Sequence, residues 1–280
     1  MGVLVAMLKV IASFGDSFIY GSEIKDNDDG SRAWPALAAQ DLGYEYETMA
    51  VAGCTNEAIA RQIFTYFSSH KTQNTLAVIN WTWCIRWDFY LFATKVWAGL
   101  GPTCVPDKLK QQLDEAQATK LIKFYNTNVA DSHEWNQFRS LQAIMAAQSF
   151  LREHNIKNIQ TYMDRELFMP PSAPSRLEHY QAFKDPSWPK IVKESQLKKL
   201  PPEIKLELDQ DYNNIADPEY IQVMQRMVWP DMQDFDGKTF LEWSLDNGYK
   251  ITPPPGDHPV EQAHRAAADF WKKRYKQQLR

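Results

Sequence analysis

Two blocks at opposite ends of the chain hold the residue types that acyl-transfer chemistry needs. One is Phe14-Gly15-Asp16-Ser17-Phe18 and the other is Gly256-Asp257-His258-Pro259. A serine hydroxyl becomes a nucleophile when a neighbouring base takes its proton, and histidine titrates in the range to do so. Ser17 comes after a short apolar run, so it stands where a strand ends, and open α/β sheets bind ligands outside such ends. The same block also reads as an ordinary turn in which Asp16 or Ser17 caps the next few residues. No GxSxG elbow occurs, which excludes the nucleophile arrangement of that motif. Among the six histidines, His258 stands out because it lies between a proline-rich loop and a proline suited to a first helical position. His264, inside the last helix, reads as structural, and His70, His133, His154 and His179 read as surface residues.

Two further blocks fall at strand ends. In Val51-Ala52-Gly53-Cys54-Thr55-Asn56 the Gly53 N–H and the Asn56 amide are candidate donors to a developing oxyanion. The alternative is a plain strand-to-helix turn with Thr55 as the cap. Asn80-Trp81-Thr82-Trp83, with Arg86 and Trp87 just beyond, reads either as an aromatic ligand wall or as core packing.

These residues need elements to position them. Leu8 to Phe14, Tyr44 to Val51 and Leu76 to Trp81 read as strands, and Asn158 to Met163 as a later one. Between them Arg32 to Leu42 and Thr55 to Phe67 place apolar residues at helical spacing, the former stopped by Gly43. Leu109 to His154 is helical with a break near Ala130-Asp131-Ser132, and Pro218 to Met227, Lys238 to Asn247 and Val260 to Gln278 are further helices. Strand–helix alternation predicts one three-layer α/β domain with a parallel sheet of about five strands. Residues 165–216 hold seven prolines and no sustained period, as expected of an irregular insertion.

Composition closes off other classes. A net charge of −4, with basic residues spread along the chain, predicts neither nucleic acid nor an anionic membrane as partner. Cys54, Cys84 and Cys104 are an odd set without a CxxC pair, against a disulfide framework or a Cys-rich zinc site. No HExxH, EF-hand or Gly-rich phosphate loop is present, so no metal and no cofactor is expected. Met1 to Phe14 lacks a basic region before its apolar run, and it reads as a first strand rather than a secretion signal. The expected compartment is the cytoplasm.

With Gly-Asp-Ser after the first strand, a glycine after the second and His-Pro near the C-terminus, the chain resembles the SGNH (GDSL-type) hydrolase superfamily. The stretches FGDSFIYG, AVAGCTNEAIAR, INWTWCIRWDFY and DHPVEQAH resemble its branch in tailed phages and marine bacteria. The resemblance covers most of the chain as one domain, with insertions at about 85–155 and 165–235. It implies a flavodoxin-like α/β/α fold, Ser17 as nucleophile, His258 as general base, and an oxyanion hole from the Ser17 and Gly53 N–H groups.

Two positions depart from that pattern. Thr82 stands where the family's Gly-x-Asn-Asp block has its oxyanion asparagine, with Asn80 two residues early. Pro255 stands where the last block has an aspartate, which leaves the adjacent Asp257 or a loop carbonyl to orient His258. The expected activity is ester hydrolysis, with O-acyl groups on a carbohydrate as substrate and Asn56, Trp81, Trp83, Arg86 and Trp87 as its contacts. The competing expectation is a catalytically degenerate SGNH frame that binds glycans, as a virion component or in a homo-oligomeric assembly.

Overall fold

The computed structural model describes residues 10–69, 74–91, 95–101, 113–128, 133–168, 218–252 and 258–278. Within them the chain divides into two compact units, one of 1–82, 143–165 and 228–280, the other of 83–142 and 166–227.

The first unit is built on a parallel sheet with strand order β2-β1-β3-β6. Its strands are β1 (Val10–Phe14), β2 (Glu45–Thr48), β3 (Thr75–Trp81) and β6 (Asn158–Tyr162). Every residue of β3 is buried, because it has a neighbour on each side and cover on both faces. Among the described residues β2 is the edge strand, and its exposed Glu45 puts a charge where free pairing groups would otherwise invite another strand. The expected α/β class and parallel sheet are present, with four strands in that sheet among the described residues. Sequence alternation had suggested about five.

Successive right-handed crossovers from β1 to β2 and from β2 to β3 run in opposite directions, so their helices fall on opposite faces. α2 (Trp34–Leu42) joins the first pair and α3 (Asn56–Ser69) the second. On the α3 face, Phe14 packs against Tyr66 and Phe67, and Phe64 meets Phe150 in the later half of α5 (His133–Glu153). On the other face α8 (Glu261–Gln278) lies along α2, and the Trp34 and Trp271 rings stack at 5.8 Å. Phe235 and Phe240, the latter opening α7 (Phe240–Asp246), extend that aromatic cluster. α7 begins with a capping box in which Thr239 and Glu242 satisfy each other's backbone N–H groups. Trp34, Trp81 and Trp271 are wholly buried, so at least three of the ten tryptophans belong to the core.

The second unit contains an antiparallel hairpin, β4 (Trp87–Leu91) with β5 (Val96–Leu100), and α4 (Glu115–Asn128). Ala98, Leu100 and Tyr125 form its small core, with Trp87, Phe89, Leu121 and Ile122 against it. The Tyr125 hydroxyl donates to the Ile85 carbonyl. The hairpin corrects the reading of Trp87 as the edge of a ligand wall, since its ring packs on Phe89 and Phe124. α6 (Pro218–Val228) also belongs to this unit apart from its last residue. The proline-rich stretch at 169–217 lies outside the described residues, as do residues 1–9. Among the described residues no helix is long and apolar enough to cross a membrane.

Candidate active site

The site lies in the first unit, at the carboxyl ends of β1 and β3. Strand order reverses there, since β1 connects to β2 on one side and the chain then returns to β3 on the other. β1 ends at Phe14 and the chain turns sharply through Gly15 at φ +151°. A Cβ on Gly15 would come within 2.8 Å of the Asn80 carbonyl oxygen and 2.6 Å of Ile19 Cγ2, so only glycine fits. Asp16 then caps α1 (Ser17–Tyr20) by accepting from the Phe18 N–H at 3.1 Å.

Ser17, only 5% exposed, holds its Oγ 2.7 Å from Nε2 of His258. His258 is fixed at both ends of its peptide unit. Its N–H donates to Thr252 Oγ1 at 3.0 Å, and its carbonyl accepts from the Thr252 N–H at 2.9 Å. The imidazole rests on the Phe18 ring at 4.8 Å. α8 starts at Glu261, so Pro259 precedes the helix and bridges to Ile251 instead of taking the first helical position. On the far side of the ring, Glu23 Oε1 lies 3.9 Å from His258 Nδ1. Asp257, proposed from the sequence to orient His258, lies outside the described residues, as do Pro255 and the rest of 253–257.

The loop after β2 is pinned to the same turn. The Met49 N–H donates to the Ser13 carbonyl and the Val51 N–H to the Gly15 carbonyl, which continues the β1–β2 ladder beyond both strands. Gly53 comes next with φ +77° and open space around its Cα, so glycine is required there by conformation alone. Among the described residues the N–H groups of Ser17 and Gly53 have no acceptor. Thr55 caps α3 by accepting from the Ala58 N–H, as its position suggested.

Beneath this rim is a buried polar floor. Asp16, wholly buried, accepts from the Asn80 amide at 3.2 Å and from the Thr82 hydroxyl at 2.7 Å, besides its capping bond. Asn56, also wholly buried, receives the Thr82 N–H on its Oδ1 and donates its amide to the Thr82 carbonyl. These bonds correct three expectations. Thr82 and Asn80 direct their donors to Asp16 rather than to an oxyanion, and Asn56 is a tie between α3 and β3 rather than a substrate contact.

Trp81 is likewise no part of a ligand wall, because it is the last residue of β3, wholly buried, with its indole N–H on Gln160 Oε1 at 2.9 Å. Trp83 and Arg86 belong to the second unit, where the guanidinium lies 4.9 Å over the Trp83 ring and is itself buried. His264 is structural, as expected. Its Nδ1 accepts from the Trp34 N–H, and burial pushes its pKa down to about 3. His133, read as a surface residue, is buried at the start of α5. Sequence reasoning missed the hub role of Asp16 and the position of Glu23. The first had a signal in its place beside Ser17, and the second had none.

No protein-family model and no curated protein matches this sequence. Solved structures do. A member of the lipolytic protein G-D-S-L family from Veillonella parvula DSM 2008 is 13% identical over 96% of this chain and 98% of that one, with a TM-score of 0.39. The psychrotrophic esterase EstA from Pseudoalteromonas sp. is 10% identical over 97% and 98%, with a TM-score of 0.44. A family two carbohydrate esterase from Clostridium thermocellum is 13% identical over 100% of this chain and 67% of that one, with a TM-score of 0.41. Each of these is a similarity of chain path at low identity.

Proposed function

We propose that this protein is a serine ester hydrolase of the SGNH kind, working by acyl transfer through Ser17. The observation that carries this reading is the 2.7 Å contact between Ser17 Oγ and His258 Nε2 at a sheet switch point. His258 takes the hydroxyl proton on Nε2 as Oγ attacks the ester carbonyl carbon. The C=O bond opens to an oxyanion, which the two unengaged N–H groups of Ser17 and Gly53 are suited to receive. Collapse expels the alcohol, protonated by His258, and leaves Ser17 acylated. Water, deprotonated by the same nitrogen, then releases the acid and restores the serine.

The finer reading is that the ester is an O-acyl group on a carbohydrate. It rests on the resemblance of the sequence to SGNH hydrolases and not on Trp83 or Trp87, whose rings meet Arg86, Phe89 and Phe124 within the second unit. Trp81 no longer supports it. The test combines a fluorophosphonate serine probe with turnover of p-nitrophenyl acetate and acetylated xylan. Wild type should be labelled on Ser17, and Ser17→Ala should lose labelling and about 1,000-fold or more of its turnover. Equal turnover by the two proteins removes Ser17 from the reaction, and turnover of the aryl ester without the xylan removes the carbohydrate.

A further inference from the structure

For His258 Nε2 to accept the Ser17 proton, the ring's own proton must sit on Nδ1, and an acceptor on that side favours this tautomer. The sequence offers no carboxylate three positions before His258, because Pro255 stands there. We infer that Glu23 is the positioning carboxylate of His258, completing a serine–histidine–glutamate arrangement from the loop just beyond the nucleophile. The inference rests on the ester-hydrolase reading above.

The loop is built to keep Glu23 there. The Ser17 carbonyl accepts from the N–H groups of both Gly21 and Ser22, so the residue carrying the nucleophile also anchors the segment before Glu23. Gly21 turns the chain with φ +72°, and a Cβ on it would meet Ile24 Cδ1 at 2.7 Å. Ile24 is buried just after Glu23, and the Asn27 amide donates to the Tyr20 and Gly21 carbonyls, closing the loop from its other end. Glu23 is thus held between two fixed points while its own side chain stays 42% exposed.

Among the described residues it makes no other ion pair, so its carboxylate is not diverted to a lysine or arginine. The 3.9 Å separation exceeds a direct hydrogen bond, and a small side-chain rotation or one bridging water closes it. Contacts of this kind commonly tighten only when substrate is bound. On α8, His264 is also coupled to His258, and burial keeps it neutral, with its pKa pushed down to about 3.

The experiment compares wild type, Glu23→Gln, Glu23→Asp and Ser17→Ala in p-nitrophenyl acetate turnover across pH 4 to 9. Glu23→Gln should lower kcat about tenfold to a hundredfold with KM little changed, since the side chain acts on the base and not on the substrate. Its acidic limb should move to lower pH by about half a unit to one unit, because losing a nearby anion makes the imidazolium less stable. Glu23→Asp keeps the charge and should recover the wild-type limb with part of kcat. A Glu23→Gln profile superimposable on wild type, with Ser17→Ala inactive, overturns the role of Glu23 and leaves the hydrolase reading standing. An active Ser17→Ala instead overturns that reading, and Glu23 with it.

Discussion

His258 and His264 stand on the same C-terminal segment and have opposite fates. His264 is sealed under Trp34 and Phe240, neutral and bonded to a backbone N–H. His258 keeps 17% of its side chain exposed, with Ser17 on one nitrogen and Glu23 near the other. The same contrast runs through the whole site. On the floor, Asp16, Asn56, Asn80 and Thr82 are buried and bonded to one another. On the rim, Ser17 and Gly53 hold N–H groups with no acceptor among the described residues. Groups whose bonds are closed within the protein give stability, and those left open toward solvent are the ones able to act on a substrate.

Removing the centre of the floor breaks this contrast most forcefully. Asp16→Ala leaves the donors of Phe18, Asn80 and Thr82 without their acceptor, which should cost about 3–5 kcal/mol and lower Tm by about 10 °C. A thermal melt that matches wild type would mean the floor contributes no stability.

The second test uses acid. The His264 pKa falls from 6.5 to about 3 on folding, so the unfolded chain takes up a proton in a window where the folded one does not. Its contribution is therefore intact above pH 6.5 and lost as pH falls toward 3. By pH 4.5 the loss should be on the order of 2–3 kcal/mol. Asp41 and Asp269 respond later. Their hydrogen bonds to Lys272 hold both carboxyls below the ordinary 3.8, so their contribution goes only under that value. In His264→Gln, the decline in Tm between pH 6.5 and 4.5 should largely disappear.

The third and smallest effect on stability is on the rim. Gly53→Ala forces a side chain to φ +77° with nothing for it to strike. It should cost only about 1–2 kcal/mol. Yet kcat for p-nitrophenyl acetate should fall about tenfold or more, as the oxyanion N–H is turned. A loss of Tm as large as that of Asp16→Ala would erase the distinction between rim and floor.

Much of this layout could be read from the sequence where a local signal existed. β1 and β3 are short apolar runs bounded by turn residues, β6 alternates polar residues with Ile159 and β-branched Thr161, and α2, α3 and α8 carry helical spacing with caps or glycine stops. The β4–β5 hairpin was hidden because its aromatic residues satisfy a ligand wall and a packed sheet equally well. Trp81 was misjudged for a related reason. It ends a strand that is covered on both faces, so its place at the tip does not expose it. Ser17, Gly53 and His258 are legible from position, since strand ends and turn glycines mark where a parallel sheet opens. The roles of Thr82, Asn80 and Asn56 depend on partners in other elements, to which no spacing rule points. Glu23 lies in an exposed polar loop without periodicity, and only the fold brings it to a histidine from the far end of the chain.

The Ser17–His258 contact joins residues 241 positions apart. The entropy of closing so long a loop grows only with the logarithm of its length, so the contact is thermodynamically inexpensive. Its kinetic meaning is different. Contacts distant in sequence form late, after the local helices and the strand pairs they cover. The reactive pair cannot exist until β1, β3 and the segment leading into α8 have all docked. Partly folded chains would therefore carry no exposed, activated serine, and the onset of turnover in refolding would report completion of the first unit.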